Sequence, residues 1–551
     1  RMREKIPGAL FQMLLRGSNA VGYTGYPDNV VREFVRESAE AGIDVFRIFD
    51  ALNYVPNMEL AIEEVNRQGK IAETSICYTG DVLDPNEDKY TIDYYVDLAQ
   101  RLQERGAHIL NIKDMAGLLK PYSAKALIEA LKNAVDIPIH LHTHDTSGNG
   151  VAMYLMAADA GVDIVDCALS SMAGLTSQPS LNAVLTAMQG KERQPDLSVE
   201  KLQRLSEHWE LLREVYYPFE SGLKASTTDV YYHEIPGGQY SNLRPRAIQL
   251  GLGDKWNLIK TTYHEVNEAL GNLIKVTPTS KVVADFAMFL VRNEMSVDDI
   301  FDKADRGEDI DFPQSVIDFF KGNLGQPYGG FPEKLQQIVL KGEEPTTERP
   351  GAKMDDYDWD AHAEDLEGLL GRTPDRREEL SYALYPKVFS ELVRSIQEFG
   401  EYRILDTTSF LYGMEPGEET LVDIEEGKTL VIKLLAIGEL QDDGTRVVYF
   451  ELNGQPREVV VTDDSAELGA EARPKADKTN PNEIGSPMQG KVVEVFVGVG
   501  DDVEKGQVLL TTEAMKMETN VSAPHDGTVA RLEVAAGDEV AGGDLVAVVE
   551  G

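Results

Sequence analysis

The 551-residue sequence predicts an α/β plus β fold: a (β/α)8 TIM-type barrel, a helical segment over its mouth, a small β-rich domain and a C-terminal β-sandwich. Three observations predict it. Between residues 8 and 190, short apolar runs alternate with amphipathic helical periodicity at intervals of about 30 residues. Helices in that stretch close on Gly42, Gly106 and Gly161, the residue type that accepts the left-handed turn at a helix end. Near the C-terminus a pattern of Val-rich runs and Gly/Asp turns repeats at a spacing of 37 residues.

The apolar runs at 9–15, 43–49, 71–78, 108–112, 137–141 and 163–169 read as six strands. Runs apolar on both faces and joined by helices imply parallel strands covered on both sides, and a barrel is their natural closure. Arg16, Asp50, Lys113, His142 and His144 fall at the C-terminal ends of these strands, where barrel enzymes keep their chemistry. His142 and His144 are two apart, so on a strand they point the same way and can face one metal; packed histidines near a turn are the plainer alternative. His140 continues the row. Lys113 alone reads as a salt-bridged barrel lysine, an odd neighbour for a cation. Arg16 reads either as a rim salt bridge or as a planar fork for a carboxylate.

Residues 198–395 are mainly helical by periodicity, with breaks at Pro236-Gly237-Gly238, Pro278 and 327–330. Thr277-Pro278 reads as an N-cap followed by proline at the first helical position. From about 400 to 462 the pattern alternates, with strands at 429–436, 446–452 and 458–462 and Asn453-Gly454 as a hairpin turn. Residues 463–483, rich in Ala, Asp, Lys and Pro, read as a flexible tether.

In the last segment Gly490, Gly500-Asp501, Val503 and Gly506 are answered by Gly527, Gly537-Asp538, Val540 and Gly543. Two related hairpins follow, with Lys516 on the tight turn between them, inside Glu513-Ala-Met-Lys-Met-Glu-Thr519. An exposed amine on a rigid tip suits ligase-catalysed amide formation.

Length bounds the chain to three or four domains. The net charge of −41 opposes a nucleic-acid or anionic-membrane surface. Two cysteines, Cys77 and Cys167, cannot staple a chain of this size, and a reducing compartment follows. No run of about 18 apolar residues predicts a membrane span, and no signal peptide is recognisable. The opening Arg1-Met-Arg-Glu-Lys5 reads as the middle of a charged helix, so the chain is expected to continue upstream. No Gly-rich phosphate loop is present.

The 513–519 motif, with methionine on each side of the lysine, resembles the attachment site of biotin carboxyl carrier domains; lipoyl domains usually have Asp before the lysine. Leu14-Leu15-Arg16-Gly17, Asn19-Ala20-Val21-Gly22-Tyr23, Ile112-Lys113-Asp114-Met115-Ala116-Gly117 and His142-Thr143-His144-Asp145 are similar to the carboxyltransferase domain of the pyruvate carboxylase family. With Gly237-Gly238-Gln239-Tyr240 and Val276-Thr277-Pro278 the resemblance covers nearly the whole chain. It implies carboxyl transfer from carboxybiotin to pyruvate, giving oxaloacetate. Lys113, carbamylated, would ligate a divalent ion (Mn, Zn or Mg) with His142 and His144, and the anionic carbamate removes the oddity of a lysine there. Arg16, Tyr23, Ser280 and Thr277 would contact substrate, Thr277 exchanging a proton with biotin, and Lys516 would be the biotinyl-lysine.

The resemblance also implies a division into a partial barrel (1–197), a helical funnel (198–399), part of a tetramerisation and allosteric domain (400–462), a linker (463–483) and a biotin carboxyl carrier domain (484–551). The family's first two barrel strands, with a metal-binding aspartate and a substrate-contacting glutamine, would precede Arg1. Expected partners are a biotin carboxylase domain that loads the biotin with ATP, a biotin protein ligase, three further copies in a homotetramer, and acetyl-CoA as a regulator. The expected compartment is the bacterial cytoplasm, or the mitochondrial matrix in a eukaryote. Two other readings compete. The α chain of a biotin-dependent oxaloacetate decarboxylase shares the arrangement, but Tyr23-Thr-Gly-Tyr-Pro-Asp-Asn-Val30 and the 400–462 strands resemble the carboxylase. A non-catalytic biotin carrier scaffold is opposed by the joint retention of Arg16, Lys113, His142, His144 and Thr277, and metal content would separate the two.

Overall fold

A computed structural model describes residues 2–220, 222–441, 444–463, 473–477, 480–487, 490–514 and 517–551. They divide into two compact units, 1–390 and 391–551. The first contains a six-stranded parallel sheet in sequential order: β1 (Gln12–Leu15), β2 (Val45–Ile48), β3 (Ile71–Cys77), β4 (Ile109–Asp114), β5 (Ile139–Thr143) and β6 (Ile164–Val165). All six expected strands are present; four are trimmed, while β4 and β5 begin later and run two residues past their expected C-terminal ends. Each crossover is a helix: Asp28–Glu40, Val55–Arg67, Ile92–Glu104, Pro121–Ala134 and Gly150–Asp159. Gly42, Gly106 and Gly161 all have positive φ, as a helix-ending turn requires.

Arg47 on β2 hydrogen-bonds Asp166, one residue past β6. Strands four places apart in a flat sheet would lie about 19 Å from each other. The sheet is therefore curled, with these two residues on its concave face. Outside it, Phe46, Ile48, Ala72, Ile76, Leu110, Ile112, Ile139 and Leu141 pack with the helices in one apolar core. Among the described residues β1 and β6 are the two ends of the sheet and are not paired with each other.

The helices that follow have their own core, centred on Tyr263, Phe286, Phe319 and Phe320. They sit at the C-terminal ends of the strands. Gly237 N–H donates to Met115 O beyond β4 (3.2 Å), Asn57 Nδ2 donates to Leu324 O (3.1 Å), and Thr279 Oγ1 lies 3.5 Å from Ala51 O beyond β2.

The second unit holds an antiparallel sheet of β7 (Glu419–Glu425), β8 (Lys428–Ile437), β9 (Thr445–Leu452) and β10 (Gln455–Thr462). The sequence pattern does not announce β7: its buried Val422 is flanked by acidic residues that weaken the alternation. Asn453 and Gly454 both have positive φ, as a two-residue type I′ hairpin needs. Two further four-stranded sheets use β11 (Glu483–Gly485), β12 (Gly490–Val495), β13 (Asp502–Val503), β14 (Val508–Ala514), β15 (Met517–Ser522), β16 (Gly527–Leu532), β17 (Glu539–Val540) and β18 (Leu545–Glu550), in the orders β11-β18-β16-β13 and β15-β14-β12-β17. β12, β13 and β14 begin 37 residues before β16, β17 and β18, so the sequence repeat is a structural one. β14 pairs antiparallel with β15. Lys516, between them in sequence, lies outside the described residues.

Candidate active site at the barrel mouth

Two layers of polar side chains share the concave face, because every second residue of a strand points the same way. In the lower layer Arg47 donates to Glu73 and Asp166, and Gln12 Nε2 donates to Glu73 Oε2 at 2.7 Å. His140 completes it, with Nδ1 3.2 Å from Glu73 Oε2 and Nε2 2.9 Å from Asp166 Oδ1. His140 therefore belongs to a closed charge network, not to a histidine row facing one metal. Burial alone would lower its pKa, but the two carboxylates raise it. Asp166 is held well below the usual carboxylate range by His140, His142 and Arg47, against its own desolvation.

The upper layer holds the site predicted from sequence. Lys113 and His142 are register partners on β4 and β5. His142 and His144 stand edge to face, with ring centroids 5.1 Å apart. His142 Nδ1 is 2.7 Å from Asp166 Oδ2, and His144 Nδ1 is 2.6 Å from Thr176 O. The carbonyl accepts only, so His144 carries its proton on Nδ1, and the ionised Asp166 requires the same of His142. Burial, reinforced by the positive Lys113, holds the two rings neutral, down to about 3 for His142 and about 4 for His144. Each Nε2 then presents a lone pair, the state of a metal-binding imidazole whose other nitrogen is anchored. Gly237 covers the ring closely: a Cβ there would meet His144 Nδ1 at 3.4 Å and Thr146 Oγ1 at 3.3 Å.

Lys113 corrects the salt-bridge reading. It is 5% exposed, and among the described residues its amine has no hydrogen-bond or ion-pair partner; its Nζ lies 5.2 Å from the centroid of Phe49. Desolvation, aided by the charges of Arg47 and Arg16, pulls its pKa down to about 8. Among the described residues no three His, Cys, Asp or Glu side chains converge on a metal position. Two imidazoles fit a divalent ion; the lysine fits only if its amine is converted to an anionic group.

Arg16 faces the same Phe49 ring, 5.8 Å from its centroid, and lies 5.7 Å from that of the exposed Tyr23. Its Nη1 donates to Val21 O at 2.8 Å, while Nε is buried without a partner. Ser280 Oγ is likewise buried and unpartnered. Thr277 is not an N-cap. The helix is Thr279–Arg292, its N-cap is Pro278, and no side chain caps it. The hydroxyl of Thr279, the first helical residue, donates instead to the upstream carbonyls Ile274 O and Val276 O. The Thr277 hydroxyl, half-buried, makes no hydrogen bond among the described residues. Asp50 also departs from its expected chemical role: its carboxylate accepts from Leu52 N, Tyr54 N and Asn57 Nδ2 and anchors the turn after β2. Burial raises it to about 6.

Sequence reasoning missed Arg47, Glu73 and Asp166. The available signal was a charged residue inside each otherwise apolar run, such as Arg47 within Val45-Phe-Arg-Ile48.

Comparison with known proteins places this geometry. Family profiles match at residues 36–208 (HMGL-like), 230–433 (Conserved carboxylase domain) and 482–549 (Biotin-requiring enzyme). The chain is 53% identical to Bacillus subtilis pyruvate carboxylase over 549 residues, covering all of this chain and 48% of the relative. It is 45% identical to Mus musculus mitochondrial pyruvate carboxylase over 552 residues, or 47% of that protein. The chain thus spans about half the length of the curated relatives it matches. The solved carboxyl transferase domain of Rhizobium etli pyruvate carboxylase superposes with a TM-score of 0.81 at 46% identity, over 84% of this chain and 78% of that one. The complete multifunctional Rhizobium etli enzyme gives 0.80 at 45% identity over 99% of this chain and 50% of its own. Barrel, anchored histidines, unpaired lysine and C-terminal repeat therefore have a common explanation: the chain belongs to the pyruvate carboxylase family.

Proposed function

We propose that this chain transfers a carboxyl group from biotin to pyruvate, forming oxaloacetate. The observation that carries it is a buried lysine with no counter-ion beside two imidazoles whose Nδ1 atoms are already engaged. A divalent ion held by His142 Nε2, His144 Nε2 and a carbamate on Lys113 would supply Lewis-acid polarisation of the substrate. The depressed pKa of Lys113 favours the neutral amine that carbamate formation needs. Arg16 offers its unpartnered Nε edge to the carboxylate of pyruvate, and Tyr23 and Ser280 Oγ are further contacts in this reading. Thr277 Oγ1 relays a proton from the pyruvate methyl to the ureido nitrogen vacated by the departing carboxyl group, since a hydroxyl donates and accepts without a lasting charge. The enolate left on the substrate then attacks CO2.

Lys516 is the point of biotin attachment in this reading. Of the tether expected at 463–483, residues 473–477 are instead fastened to the C-terminal domain, with Leu545 N donating to Pro474 O at 2.8 Å and Lys475 Nζ to Asp544 Oδ1 at 2.6 Å. Glu483 opens β11, so the tether on which that domain travels between sites ends before Arg473. The barrel (1–197) and funnel (198–399) carry the transfer, and 400–462 belongs to a domain for tetramerisation and acetyl-CoA response. A biotin carboxylase domain, in cis or as a partner, loads the biotin. The working compartment is the bacterial cytoplasm, or the mitochondrial matrix of a eukaryotic source; among the described residues no helix is long and apolar enough to cross a membrane.

The test runs the reaction backwards. With free biotin or biocytin as acceptor, the chain should decarboxylate oxaloacetate to pyruvate, and Lys113→Ala should not. Biotin-independent turnover, or full activity in Lys113→Ala, would overturn the proposal. Intact mass after treatment with a biotin ligase should show one added biotin, absent from Lys516→Ala.

A further inference from the structure

We infer that Asp166 is a positioning residue that fixes the ring orientation and tautomer of His142, and that Arg47, Glu73 and His140 hold Asp166 in place to do so. The inference rests on the reading of His142 as a metal ligand. Asp166 Oδ2 is the acceptor shared by His142 Nδ1 (2.7 Å) and Arg47 Nη1. Arg47 Nη1 is itself 3.4 Å from His142 Nδ1. A guanidinium only donates, so that ring nitrogen, which carries its proton toward the carboxylate, finds its acceptor in Asp166.

The other carboxylate oxygen is no freer. Oδ1 meets His140 Nε2 at 2.9 Å, and His140 Nδ1 in turn meets Glu73 Oε2 at 3.2 Å. His140 thus bridges Asp166 and Glu73, with Arg47 Nη2 3.2 Å from its Nδ1. Gln12 Nε2 donates to Glu73 Oε2 as well, at 2.7 Å. Asp166 cannot rotate without taking from Arg47 and His140 one of their two carboxylate partners in a mostly buried site, and that cost locks the plane in which His142 is held. His144 reaches the same tautomer by another device, the backbone carbonyl of Thr176 at 2.6 Å. It is a built-in control.

The experiment labels the histidine ring nitrogens with 15N and records ring 15N–1H correlations of the whole chain without metal, using His142→Asn for assignment. In the wild type both His142 and His144 should show the Nδ1–H form. Asp166→Ala should convert His142 to a mixture of tautomers, leave His144 unchanged, and weaken Co2+ binding by about 10- to 100-fold, the usual cost of losing a ligand's anchor. Asp166→Asn keeps the shape and must turn its carbonyl oxygen toward Arg47 and His142; it should retain the Nδ1–H form and most Co2+ affinity. The inference is overturned by an Nε2–H form of His142 in the wild type or in Asp166→Asn, two species that report even if Asp166→Ala does not fold. Unchanged His142 signals in a folded Asp166→Ala would overturn it as well. A wild type with the expected tautomers but no Co2+ binding would sink the metal reading and leave the positioning role standing.

Discussion

The floor and the mouth of the barrel are one layer of residues apart and obey opposite rules. On the floor, Arg47, Glu73, His140 and Asp166 have every charge answered by another. At the mouth, Lys113 has no counter-ion, Arg16 Nε and Ser280 Oγ are buried without partners, and the Thr277 hydroxyl is unused among the described residues. Burying a polar group without a partner costs about 1–3 kcal/mol. Buried atoms without partners also occur elsewhere, as at Thr74 Oγ1 and Tyr263 Oη, so what sets the mouth apart is the unpaired amine of Lys113 one layer above a floor whose charges are all matched. His140 and His142, two residues apart on one strand, fall on either side of the divide.

The largest effect expected concerns activity at the mouth. Thr277→Ala should lower carboxyl transfer by about 10²- to 10⁴-fold, the usual share of a positioned proton relay, with folding stability unchanged. Thr277→Ser should keep much of the rate. Reverse-reaction kinetics beside a denaturation curve would check both, and wild-type turnover in Thr277→Ala would place Thr277 with the structural residues.

At the floor the order is inverted. Arg47→Met strips the shared cation from two carboxylates and should destabilise the first unit by about 3–5 kcal/mol, as breaking a buried ion network does. Chemical denaturation measures this; a loss under about 1 kcal/mol would show that the network is not what holds the floor.

Lys113 offers a stability test of the mouth by pH. Its folded pKa, about 8, lies below the ordinary 10.5, so the unfolded chain binds more protons between those values and stability rises with pH across that window. Below pH 8 the buried charge costs about 3 kcal/mol, since each tenfold loss of proton affinity on folding is worth about 1.36 kcal/mol. In CO2-free, metal-free buffer Lys113→Met should be the more stable form at pH 7, and its advantage should fade by pH 10.5. A hidden counter-ion would appear as a pH-independent difference, or as a loss.

The smallest effect is expected at Arg16. Arg16→Lys keeps the charge but not the planar edge, and should raise KM for pyruvate by about 10- to 100-fold, the worth of one charge-assisted pair, at unchanged stability. Unchanged kinetics would return Arg16 to a rim role.

The sequence by itself was enough for whatever is periodic or local. Six apolar runs with closing glycines announced β1 to β6, the 37-residue echo announced the two halves of 483–550, and a period of two placed His142 and His144 on one side. Tertiary structure decided how the polar groups pair. His140 meets Glu73, 67 residues away, and Arg47 meets Asp166, 119 residues away. Only a curled sheet brings strands β2 and β6 within reach of one another. No local pattern records that curl, so Lys113 reads as paired when its amine is alone, and Thr277 reads as a cap when the helix begins at Thr279 with no side-chain cap. Strands form because of what each residue is; a charge is satisfied or left waiting because of which distant residue the fold sets beside it.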